Sequence, residues 1–330
     1  MNKKMIYTLL VVLVALIVIS YALKGLDRAT SSPESLDELR IEFDPGEVTR
    51  IDVYKQDYPD SGLHFAKHES GWVVVNAYNS PAKVEDIEKL ITDLTDVRGS
   101  VRGESADLYG NFDITDEKAL QIELFGSDDA KLVHLYVGKG SGGRECFMRM
   151  AGTPVVYLAD ENFISRFAAW NAPPEKKLPM DRWLQLTLCD IDRDSMTSFE
   201  INKGKTAYDF AFVEEPSEDT LTPPIKAWKQ ISPKKGLKLG ESKIKSLSSS
   251  LAGLRAADVI DPSEKSKFGL DKPKYVIRAG DDQENTAEIY FGNKIDDSED
   301  RYAAVKGRES VYKVSKSTFE RFFVKPFETD

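Results

Sequence analysis

One series of short motifs is written twice along this chain, in the same order and at nearly the same spacing, and that repetition constrains the fold more than any composition does. The first half runs VTRIDV (48–53), GWVVVN (71–76), VEDIEKLITDLTDV (84–97), LYGNFDI (108–114), ALQIELF (119–125), LVHLYVGKG (132–140) and VVYLADENFISRF (155–167). The second runs MTSFEIN (196–202), AWKQIS (227–232), ESKIKSLSSSLAGLRAADV (241–259), KFGLDKP (267–273), YVIRAG (275–280), AEIYFGNK (287–294) and SVYKVSKSTFERF (310–322). Trp228 follows Trp72 by 156 residues, Gly269 follows Gly110 by 159, Gly292 follows Gly138 by 154 and Tyr312 follows Tyr157 by 155. Drift of this size is what short loop insertions produce, and a period this long is a duplicated domain, not a solenoid unit, so each copy is expected to own a core. These eight residues are the expected structural anchors of the repeats.

Each copy has the same local pattern. Alternating apolar residues at Ile51 and Val53, and at Trp72 and Val74, predict half-buried strands. Val84, Ile87, Leu90, Ile91, Leu94 and Val97 recur at helical spacing, and Ile244, Leu247, Leu251 and Leu254 repeat the stripe. An aromatic-Gly turn then starts a second set of strands, and a short closing helix follows the last one. Strands in hairpin succession with one main amphipathic helix per copy predict an α+β fold of two tandem domains with mainly antiparallel sheets. The expected bounds are 41–170 and 186–330, joined by a Pro-rich linker over 171–185 that contains NAPPEKKLP. Glu214–Pro224, EEPSEDTLTPP, reads as an exposed loop.

The amino terminus stands apart. Met5–Leu23 is 19 residues without a charge, and a helix of that length rises roughly 28 Å, about the hydrocarbon thickness of a bilayer. Residues 1–28 therefore read as a membrane anchor with flanks, and the polar stretch 29–40 as a stalk. Lys3 and Lys4 in front favour a cytoplasmic amino terminus and a single pass through the inner or cytoplasmic membrane. The bulk is then extracytoplasmic, and periplasmic where there are two membranes. A cleaved signal peptide is the rival reading, since Ser20-Tyr21-Ala22 has the small-x-small form a signal peptidase accepts. The whole chain carries a formal charge of −10. Lys3, Lys4, Lys24 and Arg28 against Asp27 make residues 1–28 net +3, which leaves −13 on the remainder. Such a surface repels nucleic acid, so no nucleic-acid partner is expected.

Candidate chemistry is thin. VGKGSGGRE (137–145) is glycine-rich, but a phosphate loop needs its glycines between a strand and a helix, ending in Lys-Ser or Lys-Thr; here they join two strand-like runs, as a hairpin does. His64, His68 and His134 are the chain's three histidines. LHFAKHE alternates like a strand, where residues i and i+4 stand roughly 13 Å apart, too far to share a metal ion. No serine or cysteine elbow accompanies them. With 55 Asp and Glu residues, adjacent acids such as Asp128-Asp129 or Asp296-Asp297 are expected on solvated turns. Catalytic, cofactor and metal residues are thus expected to be absent. Cys146 and Cys189 are too few for a disulfide framework; two buried thiols is the plainer reading and a bridge between the halves the alternative. Trp72 and Trp228 occupy matching places as core anchors, with a carbohydrate-stacking platform as the weaker alternative.

The ordered series of VTRIDV, Gly-Trp with its strand, amphipathic helix, aromatic-Gly turn, a strand ending VGK or FGNK, and VYL or VYK before a closing helix resembles the bacterial family called domain of unknown function 4340. The resemblance covers nearly everything after the anchor. The family favours a compact aromatic-Gly-Leu-Asp turn, and YGNFDI in the first copy departs from it. The resemblance implies an auxiliary extracytoplasmic component of ABC-type transport systems of the gliding-motility type, and attaches no catalytic residue. The expectation is therefore a membrane-anchored, non-enzymatic accessory or scaffold with transporter subunits as partners. The alternative is a cell-envelope module that binds a glycan, peptide or lipid; an envelope hydrolase is third.

Overall fold

The computed structural model describes residues 38–170, 173, 175–215, 225–296 and 298–328. Met5–Leu23, most of the stretch 29–40 and loop residues 216–224 lie outside the described residues. Among the described residues no helix is long and apolar enough to cross a membrane.

In the first half, β1 (Arg50–Lys55), β2 (Tyr58–His68), β3 (Gly71–Val74) and the two-residue β4 (Ser80–Pro81) precede helix α1 (Val84–Asp96). β5 (Gly99–Gly103) and the single helical turn α2 (Tyr109–Phe112) lead to β6 (Leu120–Phe125), β7 (Lys131–Gly140), β8 (Cys146–Met150) and β9 (Val156–Ala159), closed by α3 (Phe163–Arg166). The second half has β10 (Met196–Lys203), β11 (Thr206–Glu215), β12 (Ile225–Ser232), α4 (Glu241–Ala252) and β13 (Asp258–Ile260). It ends with β14 (Tyr275–Asp281), β15 (Thr286–Lys294), β16 (Arg301–Val305), β17 (Val311–Val314) and α5 (Lys316–Phe323).

The sheets have nine and eight strands, in the orders β4-β3-β2-β1-β6-β7-β8-β9-β5 and β12-β11-β10-β14-β15-β16-β17-β13. Without β4 the two orders are the same. The fold is α+β with two antiparallel sheets. Period-2 patterning explains why the strands face as they do: Ile51, Val53, Leu63 and Phe65 of β1 and β2 are fully buried, while the residues between them face away. Helix α1 buries Ile87, Leu90, Ile91 and Leu94, and α4 buries Ile244, Leu247 and Leu251. Each such side chain contributes about 1.5–3 kcal/mol by leaving water. Lys83 offers α1 no side-chain cap, but Glu85 and Asp86 in its first turn suit the positive end of the helix dipole.

The expectation of a separate core in each copy is corrected. A single hydrophobic cluster runs from sheet to sheet through Leu178, Trp183, Leu184, Leu186, Leu188, Cys189 and Ile191. The stretch 171–185, read as a linker from its prolines and charges, thus ends inside the core. Trp183 stacks on Phe167 at 5.2 Å between ring centres and leans on Phe65 at 5.3 Å. The backbone of 183–188 then serves both halves. The Lys83 amide donates to the Trp183 carbonyl at 2.7 Å and the Gln185 amide to Pro81 at 2.8 Å. On the other side the Leu188 amide donates to Leu254 at 2.9 Å and the Ala256 amide to Leu186 at 2.8 Å. Ordered packing also begins before residue 41, because Leu39 is fully buried and its amide donates to the Gly99 carbonyl.

Candidate functional site

Most of the repeat anchors occupy matching places. Trp72 opposes Lys67, two residues beyond the buried Phe65; Trp228 opposes Phe212, two residues beyond the buried Phe210. Both indoles are core residues, which removes the carbohydrate-platform alternative at these positions. Tyr157 and Tyr312 are likewise in register, against Val101 and Val259. Gly138 and Gly292 each lie where a β-carbon would collide with the carbonyl oxygen of an aromatic residue, Phe112 in one copy and Phe268 in the other.

That contact corrects the pairing of Gly110 with Gly269. The counterpart of Phe268-Gly269-Leu270 is Phe112-Asp113-Ile114, again 156 residues apart. Asp113 holds the left-handed backbone (φ 56°) that Gly269 holds at φ 71°. Gly110 sits in a right-handed turn with open space beside it.

Two of the three histidines, His64 and His134, fall on one polar row that sequence reading missed, and the second sheet has a matching row without histidine. Across β2, β1, β6 and β7, the register places His64, Asp52, Glu123 and His134 side by side. In the second sheet the same row is Asp209, Glu200, Arg278 and Glu288. Alternation was legible strand by strand, but the row exists only once the register is known. His64 Nδ1 is 2.9 Å from Asp52, and this hydrogen bond holds the ring above its ordinary pKa of 6.5. His134 Nδ1 is 3.3 Å from Glu123 and Nε2 is 2.9 Å from the Gln121 amide oxygen. Both nitrogens face acceptors, yet burial, aided by Lys131 and Arg149, pushes this imidazole toward neutrality. Burial and the nearby Glu123 push the Tyr54 phenol up to about 12. In the second row Arg278 bonds Glu200 at 2.8 Å and grips Glu288 with two nitrogens, while Lys306 adds a third contact to Glu288 at 2.9 Å. These rows neutralise charge on the outer faces.

His68, at the exposed end of β2, joins neither row. Among the described residues no group of three or more His, Cys, Asp or Glu side chains could hold a metal ion. Residues 137–145 form the end of β7 and the loop to β8, a hairpin as expected. Cys146 and Cys189 are free and buried, so the bridge between halves is not formed. Burial pushes the Cys146 thiol up to about 12, and raises Cys189 as well. Neither thiol is poised as a nucleophile.

Several concavities line the described surface. A cleft of about 880 Å³ lies where the halves meet, lined by Trp72, Lys83, Asp86, Gln185, Arg308 and Glu309. Arg308 closes it from the second half, donating to the Thr187 carbonyl at 2.7 Å and pairing with Asp190. A broader hollow of about 1000 Å³ crosses the second sheet over the Arg278 row. A smaller pocket of about 500 Å³ is bounded by Trp170, 63% exposed, with Ile164 and a mixed rim of Lys118, Lys139, Asp113 and Glu117, in which Lys118 pairs with Asp113 at 3.4 Å. Trp170 is the indole that a search for a stacking surface should have found; it lies just outside the repeated motifs.

A duplicated α+β module, with two antiparallel sheets on one core, is the class these features define. The chain belongs to the family described as Domain of unknown function (DUF4340), whose model matches residues 72–273 and 262–328 and so reaches across both halves. No curated protein and no solved structure matches the chain.

Proposed function

We propose that this chain is a membrane-anchored, extracytoplasmic accessory or scaffold protein without catalytic activity of its own, auxiliary to an ABC-type transport system of the gliding-motility type. The observation that carries the reading is the shared core. Two sheets joined through residues 178–191 on one continuous core present two polar faces, an arrangement that suits holding partners at a fixed spacing. A tether at Met5–Leu23 would raise the local concentration of these faces beside membrane partners without any new contact. Charged groups of the two rows are paired within the fold, Asp52 with His64 and Glu200 with Arg278, and the Cys146 thiol donates to the Glu161 carbonyl.

A second reading, a binding module for a cell-envelope glycan, peptide or lipid, is favoured by the Trp170 pocket. Its volume lies within the range of small-ligand sites, and an exposed indole beside Ile164 and Ala169 suits a ligand with a flat apolar face.

The deciding experiment is affinity purification of the full-length protein from gently solubilised membranes, beside a form lacking residues 1–28 and exported by another signal. Transporter subunits retained by the anchored form are the expected result. If neither form retains a protein partner, the scaffold reading fails and the soluble form is titrated with envelope ligands instead.

A further inference from the structure

The two copies differ at one edge. In the first, β3 is covered: Val73 and Val74 pair with Pro81 and Ser80 of β4, and the Ala82 amide donates to the Trp72 carbonyl at 2.8 Å. Residues 183–185 then cover β4 in turn. Among the described residues its counterpart β12 pairs only with β11 and stands at the edge of its sheet. The segment Leu237–Leu239, where β4 would be, is held off the strand by a side chain. Gln230 donates to the Leu237 carbonyl at 3.1 Å and accepts from the Leu239 amide at 3.0 Å. Between β12 and the start of α4 this leaves a groove of about 590 Å³, lined by Trp228 and Ile244 and bordered by Ile231, Lys234 and Lys238.

The first copy shows what fits such a place. Ser80 and Ala82, small residues on an extended backbone, are buried beside Trp72. The border of the second edge is basic. Lys234, Lys235 and Lys238 are exposed, and among the described residues no carboxylate pairs with them; Glu241 is the acid on the groove. Edge lysines also disfavour pairing with β12 of a second copy, which would set like charges together.

We propose that β12 is a strand-addition site for an extended, acidic segment of a partner protein. The segment runs antiparallel to β12, with small or apolar residues toward Trp228 alternating with carboxylates toward Lys234 and Lys238. Main-chain hydrogen bonds supply affinity and the alternation supplies specificity. The inference deepens the accessory reading and rests on it for the partner being a protein.

The test uses the full chain in mild detergent, titrated with a fluorescent peptide of alternating Glu and Val as long as β12, and in parallel with a Lys and Val counterpart. Saturable binding of the acidic peptide, about tenfold tighter than the basic one or better, with slowed amide exchange at Trp228, is expected. Two variants locate it. Lys226→Pro removes an N–H that faces the same open side as that of Trp228, at an edge where proline is tolerated. Lys234→Glu with Lys238→Glu reverses the border charge. Each should weaken the acidic peptide by about tenfold or more; if Lys226→Pro fails to fold, the exposed lysine pair decides alone. No saturable binding up to about 1 mM, equal binding of both peptides, or indifference to the variants overturns the proposal. So does self-association through β12 that Lys226→Pro abolishes, which would assign the edge to a second copy. Because the assay uses a defined peptide and no membrane complex, it can fail while transporter subunits still co-purify, and can succeed when they do not.

Discussion

Gly138 and Gly292 constrain the fold more tightly than the glycine that marks the first aromatic turn. A β-carbon on either would meet a backbone oxygen, Phe112 or Phe268, which cannot step aside as a flexible side chain can. Gly138→Ala and Gly292→Ala are each expected to lower stability by about 2–3 kcal/mol in urea unfolding. Gly110→Ala, in right-handed backbone with open space around it, should change stability by less than about 1 kcal/mol and in the stabilising direction. Comparable losses at all three would refute the assignment of Asp113, not Gly110, as the counterpart of Gly269. That assignment was hidden in the sequence because matching letters favoured the two glycines, whereas the left-handed turn needs only a residue that tolerates it, and Asp does. The pH response also belongs to single residues. His64 is held above its ordinary 6.5 by Asp52, so its contribution is fully present below pH 6.5 and is lost as pH rises through the folded value. His64→Gln should therefore cost about 1 kcal/mol near pH 5 and much less near pH 9, since the pair is partly exposed. A loss that grows with pH would reverse the assigned sign.

Among the elements, the segment between the halves departs most from its sequence. Three prolines and three charges in NAPPEKKLP read as a spacer. Leu178, Trp183 and Leu184, dispersed among polar neighbours without period, gave no pattern to set against that, though all three are buried. Helix α1 was legible almost to the residue because its stripe is long and strictly spaced; β5, β8 and β16 were not, being five-residue strands whose letters, GSVRG, CFMRM and RYAAV, carry no clear alternation. Trp183→Ala removes the indole that stacks on Phe167 and leans on Phe65, and is expected to cost about 3–5 kcal/mol. Trp183→Phe should recover most of that, because the buried indole Nε1 has no hydrogen-bond partner among the described residues. Chemical denaturation of the two variants checks the pair; a phenylalanine variant as damaged as the alanine one would mean that the indole N–H matters.

At the scale of the molecule, duplication and fusion pull in opposite directions. Repeated sequence suggests two units that could unfold independently, while the core continues without interruption from Ile51 and Phe65 through Trp183 and Leu186 to Ile277 and Phe291. Fusion should win, because exposing either sheet strips apolar cover from the connecting residues that both halves share. Heating the protein is thus expected to give one calorimetric transition, with its calorimetric and van't Hoff enthalpies equal. Amides at Ile51 in the first sheet and Ile277 in the second should exchange at the same, global free energy. Two resolved transitions, or a first-sheet amide that opens well below its second-sheet counterpart, would show that residues 178–191 tie the halves together without coupling their stability. The fixed spacing between faces, on which the scaffold reading depends, would then be lost.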